Sequence, residues 1–243
     1  MPFPSGPNRL WDCTWPAPPD GDPQAGWWTD LRDPAQGPTN ITLAQTRIKT
    51  FICPSDDPYA NTVGTAVGLY SFQYAGQPQV SIHPIPLGTF ADSLGRTNYV
   101  GCAGSGTYGS SPFWNQYVGV FTDRRSVTLS QVSNLDGTSH TLLFGEALGG
   151  NSLKRDYAFS WMGCGSLGTF AGLPQASAAK PYADGSFNFG SRHAGVVQFV
   201  YVDGSVHPLK QGATSTRYSD DWYVFQELAG YQDGGSRDAS SIE

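Results

Sequence analysis

The chain has 243 residues, enough for one domain to bury a core without help from metal or cross-links. Charged residues make up only 14% while glycines number 30 and prolines 18, a mixture that suits short strands and loops better than long helices. With a formal net charge of −6 and only Arg124-Arg125 and Lys154-Arg155 as adjacent basic pairs, nucleic acid is excluded as a partner. The chain as given has no apolar run long enough for a bilayer, so no membrane contact is expected.

Residues 1–38 are rich in Pro, Gly, Asp and Trp and show no sustained period, so they read as an irregular arm. Trp11, Trp15, Trp27 and Trp28 are expected to anchor it to the body; stacking on sugar rings is the other use of such a row, and packing is favoured. The opening MPFPSGPNRLWDCTW has neither the basic start nor the apolar core of a signal peptide.

The main domain is expected over 39–232. Ile41, Leu43, Ile48 and Phe51 suit a strand or short helix that runs into CPSD, where Pro54 blocks helix continuation. Asn40-Ile41-Thr42 matches a glycosylation sequon, useful only on an exported eukaryotic chain. Residues 57–95 read as a long surface excursion. Asn98-Tyr99-Val100 reads as a strand entering a Gly-rich turn, which is not a nucleotide loop because no Lys-Ser or Lys-Thr follows. Further strands are expected at Val118–Phe121, Thr141–Glu146 and Tyr157–Trp161, with a short helix or strand over Val127–Asn134. A helix is expected at Trp222–Leu228 and a polar tail over 233–243.

The clearest element is Ser191–Lys210. Val197, Phe199 and Tyr201 alternate with Gln198, Val200 and Val202, and Asp203-Gly204 is expected to supply the positive φ angles of a two-residue hairpin turn. The histidine ahead of it, His193, is not required by hairpin physics. If the strand extends back that far, alternation puts it on the face of Val197, Phe199 and Tyr201.

The spacing His193-x9-Asp203-Gly204 resembles the H-x9-DG motif of the DUF1559 proteins, a planctomycete-type family similar to type IV pilins and secretion pseudopilins. Three other stretches fit in the same order: Phe51-Ile52-Cys53-Pro54-Ser55-Asp56, Thr97-Asn98-Tyr99-Val100-Gly101 and Asp136-Gly137-Thr138-Ser139-His140-Thr141-Leu142-Leu143-Phe144-Gly145-Glu146. The resemblance implies an extracytoplasmic protein that self-associates or assembles with other pilin-like subunits. It also implies a leader and an apolar N-terminal helix; this chain shows neither, which puts the usual filament packing in doubt. The expected fold is α+β and predominantly β, a single antiparallel sheet of pilin-like type with long Gly/Pro-rich loops and few short helices.

Four cysteines, Cys13, Cys53, Cys102 and Cys164, allow three pairings in a chain whose relatives are exported; Cys13 with Cys53 and Cys102 with Cys164 is the pairing chosen, with free buried thiols as the alternative. No CxxC pair, HExxH or Gly-x-Ser-x-Gly elbow occurs. Asn134 and Asp136 are candidate calcium ligands, though a turn without metal is preferred and no cofactor is expected. His193 and His207 flank the hairpin and could approach one another across it, yet two solvated histidines are expected there rather than a metal pair.

The motif residues Cys53, Pro54, Asp56, Asn98, Asp136, Gly137, Glu146, His193, Asp203 and Gly204 are therefore expected to pin bends and make internal polar bonds. A non-enzymatic pilin-like module acting in assembly or surface recognition is the leading function. The alternative is a soluble hydrolase, carbohydrate-active and so with a glycan partner, using Glu146, His193 and Asp203.

Overall fold

The computed structural model describes residues 39–243 except 61, 123–125, 152–153, 164, 176–186 and 236. The arm with its four tryptophans lies outside the described residues, as do Cys13 and Cys164. No helix among those described is long and apolar enough to cross a membrane.

The chain is β-rich with a few short helices. Helix α1 covers Asn40–Ala44, and a 3₁₀ turn at Lys49–Phe51 leads into the CPSD bend. Then come β1 (Gly64–Tyr74), β2 (Gln77–Pro86), β3 (Arg96–Thr97) and β4 (Tyr99–Gly104). Helices α2 (Pro112–Asn115) and α3 (Leu129–Asn134) precede β5 (Leu142–Glu146) and the short β6 (Gly150–Asn151), β7 (Lys154–Arg155), β8 (Tyr157–Ser160) and β9 (Ser166–Gly168). The hairpin β10 (Val196–Tyr201) and β11 (Val206–Lys210) and then α4 (Asp220–Ala229) complete the order.

The expected single antiparallel sheet is instead two mixed sheets. One has the order β2-β1-β8-β3 and the other β11-β10-β5-β4-β9, with β6 and β7 paired separately. Parallel pairs β1–β8 and β4–β9 make each larger sheet mixed. Local patterning finds a hairpin but carries no mark of a partner that arrives much later in the chain.

The stretch expected as a surface excursion holds the longest hairpin. Strand β1 lies between β2 and β8, and its first eight residues are buried, so no polar alternation marks it. Ala75 and Gly76, with φ of 50° and 73°, form its two-residue turn. At the β10–β11 hairpin the expected two-residue turn is corrected. Tyr201 N–H donates to Ser205 and Gly204 N–H to Tyr201, leaving a three-residue loop in which Gly204 alone, at φ 87°, takes the left-handed conformation. Val118–Phe121, expected as a strand, reduces to one bridge between Val118 and Gly104.

The main core lies between the sheets and α4. Ala66 and Leu69 of β1, Phe159 of β8, Val100 and Cys102 of β4, Phe199 and Tyr201 of β10, and Val224 and Phe225 of α4 form one cluster. Helix α4 starts at Ser219, whose hydroxyl accepts from Trp222 N–H, and Asp220 and Asp221 complement its N-terminal dipole. Thr128 and Gln131 form a capping box on α3. Near the C-terminus, within the segment expected as a polar tail, Ile242 is fully buried in the main core.

Candidate functional site

Residue alternation on the five-stranded sheet separates two faces. Val197, Phe199 and Tyr201 face α4 and the core, while Gln198 and Val200 point the other way. Pairing places Tyr99 beside Glu146, and Gly101 beside Phe144, which in turn lies beside Val200 and then Val206. The outer face therefore has a polar rung of Tyr99, Glu146 and Gln198, two residues along the strands from an apolar one.

At the polar rung, Glu146 ends β5 where the ladder to β10 stops. Its Oε2 accepts Gln198 N–H at 2.8 Å, replacing the missing backbone acceptor. Its Oε1 lies 3.2 Å from His193 Nε2, with the Glu146 side chain 3% and the His193 side chain 31% exposed. The same Nε2 lies 3.5 Å from Cys53 Sγ, and Nδ1 lies 3.3 Å from Ser55 Oγ. Gly195, at φ 76°, turns the chain just before β10 and takes His193 off the face of Val197, Phe199 and Tyr201 where strand alternation expects it.

Behind these three, Asn98 joins the loops: Oδ1 accepts Cys53 N–H at 2.9 Å and Nδ2 donates to Asp56 Oδ2 at 2.6 Å. Asp56 is also paired with the buried Arg155 through Nη2 and with Arg192 Nε at 3.5 Å. Arg155 Nε donates to Leu148 O at 2.7 Å. All four motif stretches thus meet at one place. His193 bonds a neighbouring loop, and Cys53, Ser55, Asp56, Asn98, Tyr99, Glu146 and His193 make one network. Arg155, noticed in the sequence only as part of a basic pair, is its buried counter-charge; a lone arginine in a short strand gives no signal of that.

Burial shapes the chemistry of the network. It pushes the Cys53 thiol up, with Glu146 adding to the effect against an amide at Ser55 that lowers it. Burial, then the neighbouring Cys53 and Glu146, pushes the Tyr99 phenol up to about 12. Both groups are protonated at neutral pH and act as hydrogen-bond donors.

Other sequence candidates stand apart. Asp203 is exposed at its turn, where Oδ1 accepts from Ser205 N–H at 2.8 Å and Ser205 Oγ–H at 2.7 Å, holding its carboxyl below the ordinary range. Asp136 uses both oxygens, accepting from Asp233 N–H and Gly234 N–H at 2.9 Å each, and Asn134 is not among the partners found for it. His207 packs on Tyr201 with ring centroids 5.0 Å apart on the core side, so it does not meet His193. Cys53 and Cys102 are free and buried, which corrects the disulfides drawn through them: Cys53 faces Glu146 and His193, and Cys102 sits in the core at 0% exposure.

Fold and site together define a β-rich α+β protein with a buried polar lock at the rim of one sheet. The family described as "Protein of unknown function (DUF1559)" matches residues 14–212, most of the chain, and the protein belongs to it. No curated protein and no solved structure matches the chain.

Proposed function

We propose that the protein is a non-enzymatic, extracytoplasmic pilin-like module that works by assembly, and that its working surface is the outer face of the five-stranded sheet. The observation that carries this reading is the apolar rung there. Phe121 lies on Gly101 and packs against Phe144 with ring centroids 4.8 Å apart; both are 37% exposed, and Val206 at the sheet edge is 57% exposed. Side chains of this size left in water as a row, not singly, favour association. A second copy of the chain offers the same row, so a two-fold contact would bury both at once. The export and pilin-like parts of the proposal draw on the likeness of the four motifs.

The carbohydrate-active alternative finds less support. Glycoside hydrolysis needs two carboxylates facing a sugar across an open cleft. Glu146 and Asp56 have side chains only 3% and 4% exposed, and Asp203 bonds its own turn.

Light scattering on the size-fractionated chain tests the reading. Concentration-dependent dimers that disappear in Phe144→Ser and Val206→Lys, with the melting profile kept, are expected. A strictly monomeric chain, or dimers indifferent to both changes, rejects it. Turnover of model glycosides lost in Glu146→Gln would instead favour the hydrolase.

A further inference from the structure

We infer that Cys53 Sγ, Glu146 Oε1 and His193 Nε2 are three ligands of a zinc site. The three donor atoms lie within 4.8 Å of one another and come from separate stretches of the chain: the CPSD bend, the end of β5 and the approach to β10.

Two of their three spacings are those of a tetrahedral site. Zinc bonds of about 2.3 Å to sulfur and about 2.0 Å to nitrogen or oxygen, at tetrahedral angles, set S···N near 3.5 Å and N···O near 3.3 Å. Here Sγ···Nε2 is 3.5 Å and Nε2···Oε1 is 3.2 Å. One ion at the centre satisfies all three.

Charge and second-shell contacts agree. A thiolate and a carboxylate neutralise a divalent cation, which suits ligands as buried as Cys53 and Glu146, at 3% and 2% exposure. Each ligand is held from behind: His193 Nδ1 by Ser55 Oγ, Glu146 Oε2 by Gln198 N–H, and the Cys53 backbone by Asn98 Oδ1. Second-shell bonds of this kind fix the tautomer and aim of metal ligands. The mixed sulfur, nitrogen and oxygen set selects zinc over calcium or magnesium, which take oxygen donors. Entry runs past the exposed Ser55 and the partly exposed His193 ring, where a water completes the fourth position.

The test uses the full chain, reduced and stripped with chelator, then titrated with cobalt(II) and with zinc. One equivalent of cobalt giving a thiolate charge-transfer band and tetrahedral d–d absorption, displaced by zinc, is expected. Cys53→Ser should lose the charge-transfer band, and His193→Ala should abolish tight binding. Ser55→Ala, which leaves the ligands in place, should weaken zinc about tenfold to a hundredfold. Circular dichroism reports folding of each variant. If Cys53→Ser does not fold, zinc protection of the Cys53 thiol from alkylation in the unsubstituted chain takes its place. No stoichiometric binding, a cobalt spectrum without a sulfur band, or binding unchanged in His193→Ala would overturn the assignment.

Discussion

Arg155 and Asp56 form an ion pair sealed from solvent, with side chains 1% and 4% exposed. Arg155 also donates to the carbonyls of Leu148 and Asp57, and Asp56 accepts from Asn98, so the charges sit in a nearly complete set of polar partners. This pair fastens the CPSD bend to the β6–β7 region. It holds Cys53 where it meets the sheet rim.

Removing one partner leaves a buried charge uncompensated. Arg155→Ala should cost about 3–5 kcal/mol in chemical denaturation, whereas Arg155→Met combined with Asp56→Leu should cost less than either single change. A loss under about 1 kcal/mol in Arg155→Ala would mean that Arg192 and water replace the pair.

Gly145 separates Phe144 from Glu146 because two rings occupy the space of a side chain there. A Cβ would stand 2.4 Å from Phe199 Cε1 and 2.7 Å from Phe189 Cδ1. Gly145→Ala should destabilise by about 1–3 kcal/mol through overpacking, read from denaturant midpoints. Gly204→Ala meets open space and strains only its φ of 87°, so it should cost about 1 kcal/mol.

Asp233 gives the fold a pH dependence. Burial first, and then the Asp136 carboxylate, pushes its carboxyl up to about 7. Between the ordinary aspartate range and about pH 7 the unfolded chain releases this proton while the folded chain keeps it, so this group's contribution falls as pH rises through that window and is flat above it. Asp233→Asn should flatten that part of the melting-temperature profile. An unchanged slope from pH 4 to pH 7 would assign it to other groups.

In the folded, chelator-treated chain Cys102 should resist alkylation, while Cys53 should react measurably but slowly. Burial pushes Cys102 up to about 12 and raises Cys53 more modestly. Timed iodoacetamide labelling read by mass spectrometry should find Cys102 unmodified until the chain unfolds and Cys53 slower than an unfolded cysteine. Rapid labelling of Cys102 under native conditions would contradict its placement in the core.

What was readable in the residues and what was not divides along physical lines. The β10–β11 hairpin and α4 announce themselves by local periodicity, because one face of each meets the core and the other does not, and β5 by its short apolar run ending in Glu146. β1 escaped because both its faces are covered, which removes the polar half of the alternation. The meeting of Cys53, Glu146 and His193 was hidden for another reason: it depends on which strands pair and on Gly195 turning the chain, neither of which is written in spacing along one segment. Arg155 shows the same limit, since a buried arginine is recognised by the carboxylate across from it.

The two parallel pairings also govern how the chain reaches this structure. Gly64 pairs with Tyr157 and Gly101 with Ser166, so each larger sheet awaits a strand made long after its neighbour. The β1–β2 hairpin closes early by local contact, but one side of β1 stays uncovered until β8 is made. During synthesis that edge is a template for the wrong partner, and slow, chaperone-sensitive maturation is the signature to look for.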